Sequence, residues 1–323
     1  MESLKNKIKS VVVGHAVGDA LGVPVEFASR EELEENPVTD MEGFGTYPYP
    51  AGSWSDDTSM SLAALKSLAK GKIDWDEIMQ NFGKWYYGDE FTPTGELFDV
   101  GNTCATAIEN YFVHKKSYLN CGLSNERSNG NGSLMRIHPF ALYEYAKGTL
   151  NVDVIHTAST LTHAHQRSKI ACGIYSFVLW ELLKSPSKAS VIRGLCNAKR
   201  YYWDFEEVKS YYKMLFRKIG LTERHFENPN TFEPAKRDEI KSSGYVVDTI
   251  EAAIWCILNT KSYKECLLTA VNLGDDTDTV AAVAGGLAGA LYGYDAIPKN
   301  WLNALIKREY IENMCEIACN VWS

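Results

Sequence analysis

No C-x-x-C pair occurs in this chain, although its 323 residues include eight cysteines. That absence leaves no zinc ribbon and no dithiol redox motif. Cys172 and Cys256 lie within apolar helical patterns, and Cys315 and Cys319 share a helix face at i, i+4. Reduced thiols buried in a cytoplasmic protein are therefore expected. Positive charge is also short, with 33 lysines and arginines against 41 aspartates and glutamates and a net charge of -8. Such a balance argues against a general binder of nucleic acid or of a membrane surface. No alternating run of strand length, internal repeat, low-complexity tract or flexible linker breaks the helical periodicity, and residues 199–243 hold no nucleotide fingerprint. The expectation is one all-α domain, residues 1–323, of about a dozen helices.

Long apolar runs are scarce too. The uncharged stretch from Thr279 to Tyr294 is rich in glycine and falls short of the roughly 20 residues of a membrane span. The N-terminal lysines followed by apolar residues look slightly like a secretion signal. His15 and Asp19 interrupt the run and no cleavage site follows, so a first helix over Lys5 to Ala20 is predicted instead.

Acid at two turns is what the chain has in abundance. Gly274-Asp275-Asp276-Thr277-Asp278-Thr279 carries three aspartates and two threonines in five positions, ahead of a run with helical spacing. A helix N-terminus favours an acidic cap, but one capping residue suffices. Carboxylates about 4 Å apart repel by roughly 4 kcal/mol at an effective dielectric near 20, so this density calls for a cation. With only oxygen donors, Mg²⁺, Mn²⁺ or Ca²⁺ is favoured over Zn²⁺. Ser53-Trp54-Ser55-Asp56-Asp57-Thr58 opens a second helical run, and the two turns could face one another around one or two ions. After Thr279, Gly285, Gly289 and Gly293 recur every four residues beside Ala281, Ala284 and Ala288. That flat face predicts close packing against a neighbouring helix.

The remaining candidates lie between these turns. Glu26 falls in a Gly/Pro-bracketed stretch among Pro24, Val25 and Phe27, where partial desolvation would suit it to acid or base work. Residues 30–53 read as loop, and helices are expected over Thr58 to Ala69, over Asp74 to Tyr87 with Trp75, Ile78, Phe82 and Trp85 inward, and from near Asn102. Asp99, outside any regular pattern, could cap that last helix or meet a cationic ligand. Ser128 to Arg136 is a Gly/Asn loop that could turn backbone N–H groups toward a phosphate. His163 and His165 would share a face only on a strand, which excludes a zinc pair before the helix predicted over residues 168–184. A helical excursion with a loop from Asn228 to Pro234, then a helix from Gly244 to Asn259, complete the reading.

Taken in order, Gly18-Asp19-Ala20-Leu21-Gly22-Val23-Pro24-Val25-Glu26-Phe27, Trp54-Ser55-Asp56-Asp57-Thr58, Phe98-Asp99-Val100-Gly101-Asn102-Thr103, Gly130-Asn131-Gly132-Ser133-Leu134-Met135-Arg136, Thr162-His163 and Gly274-Asp275-Asp276-Thr277-Asp278-Thr279 resemble the ADP-ribosylglycohydrolase family. The resemblance implies an all-α fold, a binuclear Mg²⁺ or Mn²⁺ centre, and hydrolysis of the bond joining ADP-ribose to a protein side chain. ADP-ribosylated protein is then the substrate and ADP-ribose the product. By position, Ser55, Asp56, Asp57, Asp276, Asp278 and Thr279 match metal ligands, with Ser55 where many members have threonine. Asp275 stands where glycine is frequent, and its role is open. Glu26 and Asp57 match catalytic acids. Asp99 and Asn102 match the pattern of members acting on ADP-ribosyl-arginine, where the aspartate meets the guanidinium. Gly130, Asn131, Gly132 and Ser133 match a diphosphate cradle, His163 a nucleotide contact, and Gly244 with Tyr245 an adenosine pocket. A serine linkage, a non-catalytic toxin-neutralising or crystallin-like role, and a metal-dependent phosphohydrolase are the competing readings. Without a heptad or a large apolar stripe, a monomer is expected.

Overall fold

The computed structural model describes residues 3–212 and 235–323, and every regular element among them is helical. The first ten α-helices are α1 (Leu4–Gly22), α2 (Arg30–Glu35), α3 (Asp56–Leu68), α4 (Trp75–Gly88), α5 (Asn102–Phe112), α6 (Tyr118–Cys121), α7 (His138–Ala146), α8 (Val152–Thr160), α9 (Gln166–Lys184) and α10 (Lys188–Tyr202). They are followed by α11 (Val246–Asn259), α12 (Tyr263–Val271), α13 (Thr277–Tyr292), α14 (Lys299–Ala304) and α15 (Arg308–Trp322). Isolated bridges join Leu123 to His163 and Gly130 to Tyr245.

Helix starts follow local chemistry. Ser3, Ser29, Ser55, Asp74, Asn151, Ser187 and Ser262 each accept a backbone N–H from the first turn they precede. Ser29 and Glu32 form a reciprocal capping box that starts α2 inside the stretch read as loop, so residues 30–53 are not wholly irregular. Helix α3 begins at Asp56 rather than Thr58, which puts both aspartates inside its first turn. Trp75, expected inward, is half-buried and stacks on Phe140 with ring centroids 5.8 Å apart. The predicted excursion is helical to Tyr202 and again over Val208–Tyr212, while the loop from Asn228 to Pro234 lies outside the described residues.

The core is centred on α1 and α13, which pack without intervening side chains. A Cβ on Gly18 would lie 2.1 Å from the Ala281 carbonyl oxygen, and one on Gly289 would lie 1.9 Å from that of Ser10. Gly14 and Gly285 meet in the same way. The flat face expected on α13 therefore has a counterpart on α1 that the sequence reading did not mark. Helix α1 is long and apolar enough to cross a membrane, but 83% of the relevant window is buried, as befits a core helix. All eight cysteines are free, and all but the half-buried Cys196 are buried.

Candidate active site and metal centre

The two acidic turns meet. The Thr279 hydroxyl on α13 donates to Asp57 Oδ2 on α3 at 3.2 Å, across 222 positions of sequence. Ser55 Oγ lies 3.1 Å from the same oxygen and also accepts the Asp57 N–H. Asp276 occupies the N-cap position of α13 and Asp278 its first turn, so two helix N-termini, with their positive dipole ends, converge on one spot.

Asp19, on the last turn of α1, fixes the α3 turn. Its Oδ1 accepts the Ser55 N–H at 2.8 Å, while Oδ2 accepts the Thr58 N–H at 3.0 Å and the Thr58 hydroxyl at 2.6 Å. From its sequence Asp19 is an interruption of an apolar run and a member of the first resembling motif, with no role of its own assigned. Its usable signal was polarity: a buried aspartate in a core helix needs donors, and an adjacent helix N-terminus supplies them.

Oxygens of Asp19, Asp57 and Asp278 lie within 4.8 Å of one another, as do those of Glu26, Asp99 and Asp278. Among the described residues no lysine or arginine forms an ion pair with Asp19, Glu26, Asp56, Asp57, Asp99, Asp276 or Asp278. Asp57 Oδ1, Asp278 Oδ2 and Glu26 Oε2 are buried without a hydrogen-bond partner. Burial first and like charge second hold Asp56, Asp57 and Asp278 well above the ordinary carboxylate range. Burial, with the Asp99 charge behind it, pushes Glu26 up to about 8. Orphaned carboxylate oxygens, an all-oxygen donor set and no paired cation among the described residues fit hard divalent ions, which Ser55, Asp56, Asp57, Asp276, Asp278 and Thr279 could hold.

A pH-dependent stability follows. Carboxyls whose folded pKa is raised stabilise the metal-free fold fully below their unfolded values, and that contribution is lost as pH rises through the folded values. For Asp19 the rise is from 3.8 to about 6, and for Glu26 from 4.5 to about 8. The melting temperature in EDTA is therefore expected to fall between about pH 4 and pH 8. Saturating Mg²⁺ or Mn²⁺ should oppose the fall, and the metal-induced increment should grow with pH because cations take the deprotonated groups. Calorimetry across that range checks it, and a pH-independent metal increment contradicts it.

Glu26 follows a single 3₁₀ turn, Val23–Val25, and is 6% exposed. Asp99 adopts a left-handed φ of 51°, a region that aspartate tolerates better than bulkier residues. It clusters with Glu26 and Asp278, and Tyr47 lies close enough to act on both Glu26 and Asp99. Tyr47, in the stretch read as loop, was missed; nothing in its local pattern distinguishes it from a surface tyrosine. Asn102 is the exposed first residue of α5, behind Gly101, whose N–H points at Asp56 Oδ2 from 3.5 Å.

The Gly/Asn loop adjoins the acids. Asn131 Nδ2 donates to Asp276 Oδ2 at 2.8 Å and to Thr249 Oγ1 at 2.9 Å, and the Asn131 N–H donates to the Gly244 carbonyl. A Cβ on Gly244 would lie 3.0 Å from Asp276 Oδ2, so this glycine packs directly against that carboxylate. Gly130 pairs with Tyr245, and the His163 ring lies where a Cβ on Gly132 would meet it at 2.9 Å. Ser133 is fully buried and accepts the Ser159 hydroxyl, so its own hydroxyl faces inward. His165 accepts the Arg167 N–H at the start of α9, away from any zinc-like pairing with His163.

Comparison with known proteins decides what this arrangement is. The model of the ADP-ribosylglycohydrolase family matches residues 1–323. The chain belongs to this family. It is a glycohydrolase. The chain is 36% identical over 317 residues to the ADP-ribosylarginine hydrolase Tri1 of Serratia proteamaculans (strain 568), covering 98% of this chain and 79% of that protein. It is 32% identical over 306 residues to the ADP-ribosyl-dinitrogen reductase glycohydrolase of Rhodospirillum rubrum, covering 94% of this chain and 91% of that protein. A solved structure described as an ADP-ribosylglycohydrolase-related protein complex superposes with a TM-score of 0.78 at 28% identity, covering 100% of both chains.

The role left open for Asp275 becomes legible at this point. Its side chain is exposed and its φ is 61°, which explains why glycine also suits the position. Its N–H donates to the Ala28 carbonyl and its carbonyl accepts the Phe27 N–H, so its backbone ties the acidic turn to the Glu26 segment.

Proposed function

We propose that this enzyme releases ADP-ribose from the arginine side chain of a modified protein, with two Mg²⁺ or Mn²⁺ ions in its acidic centre. The observation that carries the linkage is Asp99, a carboxylate at the site, beside Glu26 and Asp278, that pairs with no lysine or arginine among the described residues. A guanidinium is the planar cation that such a carboxylate receives well. The relatives named as arginine hydrolases support the same choice.

When bound, the ions supply Lewis-acid stabilisation and order the ribose hydroxyls and a water. The chain's own groups do the rest. Asp99 orients the leaving guanidine. Glu26 holds or takes a proton at Oε2, the oxygen left without a partner. Nearby buried carboxylates favour positive charge developing at the sugar carbon. The backbone of Gly130 to Ser133 borders the diphosphate, while His163, Gly244 and Tyr245 border the nucleoside. The free, mostly buried cysteines support a reducing compartment such as the cytoplasm.

A release assay tests the reading. Substrates ADP-ribosylated on arginine and on serine are incubated with Mg²⁺, Mn²⁺ or EDTA, and free ADP-ribose is measured. Metal-dependent release from arginine is expected. Asp99→Ala should lower it by roughly 100-fold, the scale for truncating one partner of a buried charge pair. Release from serine alone would sink the arginine assignment.

A further inference from the structure

The rim of the site carries aromatic and acidic side chains that hydrolysis does not use. Phe27 and Phe44 are 68% and 73% exposed, and both have a left-handed backbone, with φ of 68° and 58°. A phenylalanine adopts that conformation only where its surroundings impose it. Here the imposing contacts are visible. The Phe27 N–H donates to the Asp275 carbonyl and the Phe44 N–H to the Tyr49 carbonyl. Thr46 donates from its N–H to the Pro24 carbonyl and from its hydroxyl to the Glu26 carbonyl. The segment from Phe44 to Tyr49 is thus clamped onto the backbone that carries Glu26. Tyr47 turns inward to Glu26 and Asp99, and Phe98 packs against Tyr47 and Tyr49 with ring centroids 5.0 and 4.5 Å away. Phe27 and Phe44 are left facing solvent.

The two loop stretches that form this rim contribute charge of one sign. Neither residues 36–65 nor residues 85–114 contain a lysine or arginine, whereas Glu42, Asp89, Glu90 and Glu96 are exposed there. Tyr49 donates its hydroxyl to Glu96 at 3.3 Å. Lys307 reaches these loops from α15's N-cap and donates to the carbonyl of the buried Thr92. An arginine whose guanidinium rests on Asp99 has its own backbone only one side-chain length away, so the polypeptide bearing it has to cross this rim.

We propose that Phe27, Phe44, Tyr49 and Phe98, together with Glu42 and Glu96, dock the polypeptide around the modified arginine and select segments in which lysine or arginine flanks it. The proposal rests on the arginine reading and adds a partner chemistry to it. Aromatic anchors supply contact area at low conformational cost, and the acidic rim steers cationic segments toward the site.

The test compares three substrates: free ADP-ribosyl-arginine, and peptides ADP-ribosylated on an arginine flanked by lysines or by glutamates. The lysine-flanked peptide should be turned over with the higher kcat/KM, by about tenfold at low salt, and the advantage should shrink as ionic strength rises. Phe44→Ala should cost the lysine-flanked peptide about tenfold in kcat/KM while leaving free ADP-ribosyl-arginine unchanged. Glu42→Lys combined with Glu96→Lys should reverse the order of the two peptides. Equal turnover of both peptides by the unmodified enzyme, or equal losses on free and peptide substrates in the variants, would overturn the docking proposal. Failure of the unmodified enzyme to cleave free ADP-ribosyl-arginine, with metal bound, would overturn the arginine reading beneath it.

Discussion

Asp278→Asn is expected to lower kcat/KM by at least about 10³, several kcal/mol of lost stabilisation in the transition state, and to remove the melting-temperature increment given by Mg²⁺ or Mn²⁺. In EDTA the same variant should be more stable than the parent. Asp278 Oδ2 is buried without a partner, and Glu26, Asp99, Asp57 and Asp276 all push its carboxyl toward the protonated form. Neutralising a buried, uncompensated acid relieves that repulsion at almost constant volume. The combination is diagnostic, because a variant that had merely misfolded would lose stability in EDTA as well. Retained turnover together with a retained metal shift would refute the acidic centre.

Gly18→Val is expected to destabilise the fold strongly. Its Cβ alone would lie 2.1 Å from the Ala281 carbonyl oxygen and 2.6 Å from the carbonyl carbon, both backbone atoms that no rotamer change can move. Overpacking of this kind costs roughly 3 kcal/mol or more, which for a chain of this size lowers the melting temperature by about 4 °C or more. The loss should reach the metal as well. Gly22, one turn further along α1, lies against Asp278, where an added Cβ would be 2.4 Å from the backbone nitrogen. Gly88→Ala provides the control, since its methyl would meet nothing within 4 Å. Thermal unfolding of the two variants, with and without Mn²⁺, checks the contrast.

Much of this was legible in the chain, for identifiable reasons. The two Asp-Asp-Thr turns stood out because one cap suffices for a helix start and they hold two and three acids, and the structure brings them into direct contact through Thr279 and Asp57. The spacing of Gly285 and Gly289 announced a close helix contact. What the pattern could not announce was the other side of each contact. Gly14 and Gly18 sit in an ordinary apolar helix, and their meaning depends on which helix lies opposite. Asp19 looked like an isolated polar residue because its partners, Ser55 and Thr58, are supplied by tertiary structure. Tyr47 was hidden for a related reason. A tyrosine between two prolines and a glycine reads as turn surface, and only the clamp of Thr46 on Pro24 and Glu26 aims it at the acids. Helix α2 was a different kind of miss, since its Ser29-x-x-Glu32 capping box was written in the sequence.

The hydrogen bond between Thr279 and Asp57 joins positions 222 residues apart, and that separation bears on how the enzyme comes into being during synthesis. Closing so long a loop costs chain entropy that only long-range packing repays, so this pairing belongs to the non-local steps of folding. A nascent chain that has emerged only as far as α10 carries Asp56 and Asp57 but none of the acids on α13. It also carries Asp19, Glu26 and Asp99 but lacks Asp278, the one acid common to both clusters. A centre that needs both clusters complete is therefore expected to form only once the C-terminal helices dock on α1.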